Sequence, residues 1–389
     1  MSQPQTKSHT EGRKEGFAVV GILGGGQLAR MLAAAALRLG LRVRIYQQED
    51  SGSAAAAEVT TRPWNDLDAL VAFAQGCDVV TLDNEWVPLH DVQARWPAST
   101  RLYPGVETMR LVSDKLRQKR HAVEHNLPVG PFMACGSEAD LDAAAVSFGF
   151  PVVVKRPRHS YDGYGNRTAH DRAELTAAFE ALRCDGQVLV EQWVPFVREL
   201  AVIVARRPGG EDVAYPVAGT LQREHRCEAV EVPAPIDEAV QQRATELARR
   251  AAAAYDCVGV VGVELFALED GTLWLNEIAP RPHNTGHYTI DACVTSQFEN
   301  HLRAILDLPL GDTSLVRPAA VMVNVLGHRH GASTGEALAA ALAVPGVSVH
   351  VYGKRDVRPG RKMGHVTALG DGLADAKARA YDAAQRLEL

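Results

Sequence analysis

The sequence predicts a fold in two halves, an α/β half on a parallel sheet followed by an α+β half on an antiparallel one. Three observations carry this. The apolar run Phe17–Leu23 passes through GGGQ into the Ala/Leu-rich stretch Leu28–Leu39 and then into a second apolar run, Leu41–Tyr46. Strand, glycine turn, helix and strand in that order begin a parallel sheet. From Glu199 onward, strand-like runs follow one another without helices between them, the pattern of an antiparallel sheet. Between the halves, a helix, a strand, a Gly-rich loop, a helix and a strand follow closely from Glu138 to Trp193, enough for a small unit of its own.

Each element has a local reason. Alanine and leucine favour the first helix, and Gly40 ends it. Cys77–Asp83 reads as the next strand, and Leu102–Gly105 closes the unit with turn residues. A long polar helix is expected over Glu107–Asn126, broken by Pro128 and Pro131. Ser137 suits the cap of a helix over Glu138–Phe148. Pro151–Lys155 is a buried strand, Asp171–Leu182 a helix and Gln187–Trp193 a strand. Leu200–Ala205, Val213–Ala218 and Glu228–Val232 read as strands, and Ile236–Tyr255 as a long helix. Gly259–Leu268 and Thr272–Ile278 form a hairpin, and Ala319–Val325, Val347–Tyr352 and Gly364–Leu369 add strands before a last helix, Ala374–Leu387.

Composition excludes several classes. The 389 residues are 46% hydrophobic and 23% charged, ordinary for a globular protein. Acidic residues outnumber basic ones, 47 to 41, the wrong sign for a general nucleic-acid binder. No apolar run reaches the ~18–20 residues of a membrane span. Residues 1–16 are hydrophilic and lack a signal-peptide core, so a short disordered tail and a cytoplasmic protein are expected. The six cysteines are scattered, with no Cys-x-x-Cys pair, as for small apolar residues buried in a reducing compartment.

The hairpin carries the sharpest chemical signal. With Asp270-Gly271 as a two-residue turn, Glu269 faces Thr272, and counting outward sets Glu264 opposite Glu277. Phe266, Leu268, Leu273 and Leu275 share that face, with Asn276 on the other. Opposed carboxylates on an apolar face need compensation, and a divalent cation is one answer. A strand shifted by one residue, or carboxylates reaching water or arginines, is the other.

Other motifs are weaker alone. Gly24-Gly25-Gly26-Gln27-Leu28-Ala29 fits a phosphate-binding turn at a helix N-terminus. A dinucleotide fingerprint would want an acidic residue at the end of the second strand, where Gln47 and Gln48 stand. A tight packing turn explains the glycines equally. Lys155 precedes the glycine loop Ser160–Asn166, which carries Asp162; a phosphate lid and a plain exposed turn both fit. Lys354, Arg355, Arg358, Arg361 and Lys362 make a local basic run, suited to phosphate or to solvent. His283 and His287 are four apart, but Pro280 and Pro282 argue for a loop rather than a zinc helix.

Together and in this order, GILGGGQLARM, SDKLRQK, VVVKRP, YDGYGN, VEQWV, VELF, LNEIAPRPHNTGHYT and YGKRDVRPGRKMGH resemble the ATP-grasp superfamily. Within it they resemble the N5-carboxyaminoimidazole ribonucleotide synthase family. The resemblance implies an ATP-grasp fold in three parts: an N-terminal Rossmann-like substrate domain (17–112), a central lid subdomain (113–190) and a C-terminal domain with the basic segment (191–389). It implies ATP-dependent carboxylation of 5-aminoimidazole ribonucleotide with bicarbonate, through carboxyphosphate, in purine biosynthesis. Mg²⁺ is the implied ion, Mn²⁺ the alternative, and a homodimer the implied assembly.

Carried over by motif, Lys115 and Lys155 would contact ATP phosphates, covered by Ser160, Tyr161, Asp162, Gly163, Tyr164, Gly165 and Asn166. Glu191, Gln192, Trp193 and Val194 would line the adenine site, with Glu199 at the ribose and Gln222 nearby. Glu264 and Glu277 would hold the metal, with Asn276 beside them. Gly26, Gln27, Glu85, His283, Asn284, Lys354, Arg361 and Lys362 would form the substrate side, and Asp162 and Lys354 would be catalytic. The chain departs from the family pattern at Gln222, where a histidine is common, and in Leu82-Asp83-Asn84-Glu85-Trp86, where only Asp83 and Glu85 match in character. Competing expectations are a formate-dependent glycinamide ribonucleotide transformylase type of ligase, an NAD-dependent oxidoreductase resting on the glycine turn, and a silent nucleotide-binding protein.

Overall fold

The computed structural model describes residues 18–54, 57–159, 165–223, 226–332 and 336–387. The tail 1–16 and the loop residues Ser160, Tyr161, Asp162, Gly163 and Tyr164 lie outside these.

The first sheet is parallel throughout. Its strands run in the order Glu58–Thr61, Arg42–Gln47, Val19–Leu23, Val79–Leu82, Arg101–Leu102. The order reverses between Val19–Leu23 and Val79–Leu82. Ligands of such sheets bind at that switch point, beyond the carboxyl ends of the strands. Here those ends lead into Gly24–Gln27 and Asp83–Trp86.

A four-stranded antiparallel sheet follows, in the order Phe132–Cys135, Val188–Gln192, Val152–Lys155, Asn166–Ala169. The helices Glu138–Phe148 and Arg172–Leu182 bury Leu141, Leu175 and Phe179 against it. Ser137 caps the first as expected, its hydroxyl accepting from the Asp140 N–H while the Asp140 carboxylate accepts from the Ser137 N–H.

The largest sheet has nine antiparallel strands. From the hairpin edge they run Leu273–Ala279, Gly259–Ala267, Arg198–Arg206, Ala218–Arg223, Arg226–Val232, Ala319–Leu326, Lys362–Gly370 and Val347–Val351, with Asp212–Ala214 pairing off Arg198–Arg206. The helix Glu238–Ala254 buries its alanine stripe and Leu247 against this sheet. Four of the six cysteines are buried and all six are free thiols. No helix among the described residues is long and apolar enough to cross a membrane.

Three expectations need correction. The polar helix over Glu107–Asn126 is two helices, Val106–Val112 and Lys115–Glu124. Asp114 divides them, because its carboxylate accepts from the N–H groups of Leu116 and Arg117 and starts a new helix. The run Val213–Ala218 is not one strand: Asp212–Ala214 ends before Tyr215-Pro216, and Ala218–Arg223 begins after them.

The hairpin is the third. Leu268 pairs with Thr272 and the Gly271 N–H donates to the Leu268 carbonyl, so the loop has three residues, Glu269-Asp270-Gly271. Gly271 takes φ 77°, the left-handed residue such loops require. That shifts the register by one and pairs Phe266 with Trp274 and Leu265 with Leu275. A bulge at Asn276 then restores the count, so Glu264 still faces Glu277. Leu273 and Leu275 therefore sit in the buried core with Leu265 and Ala267, not on the carboxylate face. Asn276 is on that face rather than behind it.

Candidate active site

Residues at the switch point of the parallel sheet and on the four- and nine-stranded sheets line a cavity of about 490 Å³. At one end stand the paired carboxylates. The helix Lys115–Glu124 presents Lys115, Gln118 and Lys119 to the strand Leu273–Ala279, and each does something different. Lys115 Nζ lies 2.5 Å from Glu277 Oε2. The Gln118 amide grips the backbone of Ile278, donating to its carbonyl at 3.0 Å and accepting from its N–H at 3.1 Å, which fixes the strand carrying Glu277. Lys119 Nζ donates to the Leu275 carbonyl at 3.3 Å and lies 3.0 Å from Glu191 Oε1.

Lys155, at the end of its strand, reaches the same centre. Its Nζ is 2.6 Å from Glu191 Oε2 and donates to Asn276 Oδ1 at 3.3 Å. Glu191 is thus buried between two ammonium groups. Burial works against its charge, but Lys119 and Lys155 outweigh it and hold the carboxylate down at about 2. Lys119 is itself held below the usual lysine range, first by burial. Two cations here share one anion, a deficit of negative charge suited to phosphate.

The opposed carboxylates behave differently from each other. Burial and then the charge of Glu277 push Glu264 up to about 8. Burial also opposes the Glu277 charge, but Lys115 outweighs it and holds Glu277 below the usual range. Two facing carboxylates, one held protonated near neutrality, with the Asn276 amide oxygen close by, form a hard-oxygen donor set. A divalent cation of the Mg²⁺ type fits it, since the ion would relieve the repulsion that raises Glu264.

The walls of the cavity include Asn166, Gln192, Trp193, Val194, Glu199 and Gln222. Glu199 accepts from the Thr220 hydroxyl at 3.4 Å. Phe196 and Phe266, whose rings stack 4.6 Å apart, also line it. Sequence reasoning missed Lys119 and Phe196. The signal for Lys119 is its i,i+4 spacing from Lys115 on one helix.

The other end is cationic and polar. Gln27, Glu85, His283, Asn284 and Lys362 line it, joined by Arg281. Arg281 Nε is 2.6 Å from Glu85 Oε1, and His283 Nε2 is 3.6 Å from Glu264 Oε1. Both side-chain amide atoms of Asn284 are buried without a partner among the described residues.

Lys354 and Arg361 stand outside this wall. Lys354 is buried, donating to the Lys362 carbonyl at 2.7 Å with its ammonium 5.6 Å from the Tyr352 ring centre. Arg361 donates to the Asp356 carbonyl at 2.9 Å. At Gly26 the N–H donates to Asp83 Oδ2 at 2.8 Å. At Gly25 a Cβ would lie 1.9 Å from Gln47 Oε1, so Gln47 packs directly against the turn. Elsewhere Asp291, His350 and His365 bring three donor atoms within 4.8 Å. The His350 and His365 rings stack at 4.5 Å and 15°, so their in-plane lone pairs do not converge on one ion.

Family comparison covers nearly the whole chain. The ribonucleotide synthetase preATP-grasp domain matches residues 17–112, the ATP-grasp domain 120–298, and the phosphoribosylaminoimidazole carboxylase C-terminal domain 320–379. The chain is 42% identical over 351 residues to the N5-carboxyaminoimidazole ribonucleotide synthase of Synechococcus elongatus, covering 90% of this chain and 88% of that one. It is 40% identical to the phosphoribosylaminoimidazole carboxylase of Saccharomyces cerevisiae, of whose length it spans 65%. Among solved structures, the N5-carboxyaminoimidazole synthase of Aspergillus clavatus in complex with ADP and 5-aminoimidazole ribonucleotide superposes with a TM-score of 0.86 at 35% identity, covering 95% of this chain and 99% of that one. The chain belongs to the N5-carboxyaminoimidazole ribonucleotide synthase family of ATP-grasp enzymes.

Proposed function

We propose that this protein is an ATP-dependent carbon–nitrogen ligase that carboxylates 5-aminoimidazole ribonucleotide with bicarbonate, giving N5-carboxyaminoimidazole ribonucleotide, ADP and phosphate. The observation that carries the reading is the centre where Lys115, Lys119 and Lys155 meet Glu191 and the Glu264–Glu277 pair, in a cavity shared with Arg281, His283 and Lys362.

The adenine base lies between the Phe196–Phe266 wall and Gln192–Val194, with the ribose toward Glu199 and Gln222 nearby. Lys115 and Lys155 take the phosphate oxygens, exchanging their carboxylate partners for them, and Asn166 stands on the cavity wall beside them. Glu264 and Glu277, with Asn276 alongside, hold Mg²⁺ or Mn²⁺, which supplies charge neutralisation at the transferring phosphoryl group when bound. A bicarbonate oxygen attacks the γ-phosphorus and the bond to the ADP oxygen breaks, giving carboxyphosphate. Its carbon–oxygen bond then breaks to release CO₂ and phosphate, the amine nitrogen bonds to CO₂, and the amine proton leaves. Asp162 is the base or orienting group for that step. Lys362 holds anionic groups at the ribonucleotide end, with Gln27, Glu85, His283 and Asn284 completing it, while Lys354 braces the Lys362 backbone from behind the wall and Arg361 stands beside it. Water must be excluded from the cavity, or the intermediate is wasted. The division at 17–112, 113–190 and 191–389, a homodimer and a cytoplasmic location complete the proposal.

The test is ADP release with Mg-ATP and bicarbonate, with and without the ribonucleotide. Strong stimulation with formation of a carboxylated product supports the reading. ATP binding without stimulation refutes the substrate and keeps the ATP-grasp chemistry.

A further inference from the structure

Gln297 opens the helix Gln297–Ile305 and is wholly buried. Its side chain makes three contacts to one loop. Oε1 accepts from the His283 backbone N–H at 2.9 Å. Nε2 donates to the His283 carbonyl at 2.8 Å and to His287 Nδ1 at 3.2 Å. The first two contacts fix the amide's orientation, since an N–H must face the oxygen and a carbonyl must face the NH₂. His287 Nδ1 therefore accepts, and the ring proton is on Nε2. Burial, with nearby cations, holds this imidazole neutral, its pKa well below the usual value.

The clamp is itself braced. The Gln297 N–H donates to the Thr289 hydroxyl at 2.9 Å, and that hydroxyl donates to the Gly286 carbonyl at 2.6 Å. A Cβ on Gly286 would lie 2.5 Å from Gln297 Oε1, so the loop closes onto the amide only because that residue is glycine. One amide thus holds both ends of His283–His287. Between them is Asn284, whose buried amide has no partner among the described residues, on the cavity wall.

We propose that Gln297 is a positioning residue for the ribonucleotide end of the site, holding the loop His283–His287 and setting His287 as the Nε2–H tautomer. This rests on the reading of that loop as a ribonucleotide contact.

Two variants and one spectrum test it. Nitrogen NMR of ¹⁵N-histidine protein, with His287 assigned by its loss in His287→Gln, should show a bare Nδ1 and a protonated Nε2. In Gln297→Glu an oxygen replaces the NH₂ opposite Nδ1, and the proton should move to Nδ1. A protonated Nδ1 in the parent, or an unmoved tautomer in Gln297→Glu, overturns the proposal. Gln297→Leu removes all three contacts. It should raise KM for the ribonucleotide by about tenfold or more while KM for ATP stays within about twofold. Equal losses toward both substrates mark a merely structural role and overturn it. Should Gln297→Leu fail to fold, the tautomer in parent and Gln297→Glu decides. Asn284→Ala tests the underlying reading separately: an unchanged ribonucleotide KM there refutes the loop contact, whatever the tautomer shows.

Discussion

Glu191→Gln is the substitution with the most to say about the phosphate end. The change preserves shape and removes one charge from a buried group that lies 3.0 Å from Lys119 Nζ and 2.6 Å from Lys155 Nζ. Its carboxylate is held at about 2 against an ordinary 4.5, which corresponds to about 3 kcal/mol of favourable interaction at neutral pH. Breaking a buried ion pair by removing one partner costs about 3–5 kcal/mol, so the two routes agree. Because the folded value is depressed, this contribution is complete above 4.5 and is lost only as pH falls toward 2. Urea denaturation at pH 7 should therefore show a deficit of about 3 kcal/mol in the variant. Added ATP should then do more for the variant than for the parent, since its phosphates restore the missing negative charge beside the lysines. A deficit below about 1 kcal/mol, or an ATP-induced stabilisation no larger than the parent's, would refute the view of Glu191 as a placeholder anion.

Three further outcomes are expected. Glu264 sits at about 8 and must lose its proton to hold a cation, so the apparent Mg²⁺ affinity should climb by up to about tenfold per pH unit from pH 6 to 8 and then level off; a flat titration removes Glu264 from the metal site. The same raised value means that, without metal, the group's contribution to stability falls as pH rises from 4.5 through 8, and Mg²⁺ should reverse that loss. Lys115→Met should weaken kcat/KM for ATP by about tenfold to a hundredfold, the 1.5–3 kcal/mol of a charge-assisted contact, and parent-like kinetics at limiting ATP would exclude the contact. Asp162→Asn, chosen on its place in the glycine loop, should slow carboxylation more than ATP binding, and an undiminished carboxylation rate takes it out of the mechanism.

Most of the strand and helix order was legible because local rules and tertiary packing point the same way. The glycine turn after Leu23 and the serine before Glu138 each have one good structural use, and the chain makes that use of them. Elements were missed where packing supplies what the local pattern lacks. The strand Asn166–Ala169, reading NRTA, is too polar to announce itself and is ordered by pairing with Val152–Lys155. The helix Gln297–Ile305 buries Gln297, Asn300 and His301 along with its apolar residues. Its polar residues are partnered across the sheets, as when His301 Nε2 meets Thr81 Oγ1 at 2.7 Å, and a periodicity of apolar residues alone does not find them. At the glycine turn the local pattern fits a phosphate, yet Asp83, 57 residues away in sequence, already takes the Gly26 N–H.

The carboxylate pair shows how a correct pairing can come from an incorrect path. A two-residue turn predicts Glu264 opposite Glu277, and that is the pair observed, but the real loop is three residues long and the register near it is displaced by one. Left uncorrected, that displacement would set Glu264 against Asn276. The bulge at Asn276 absorbs the extra residue and also turns Asn276 toward the site, where its amide oxygen meets Lys155 at 3.3 Å. Bulges re-aim side chains next to active sites at the cost of a ladder hydrogen bond, and here one bulge brings three oxygen-bearing side chains onto a face that regular alternation would limit to two. Deleting the bulge residue itself, Asn276, should therefore leave Glu264 opposite Glu277 in a regular ladder. Loss of Mg²⁺-dependent ATP turnover in that deletion, in a folded protein, would show that the site depends on the bulge rather than on the pairing alone. Full activity would show that Asn276 is dispensable.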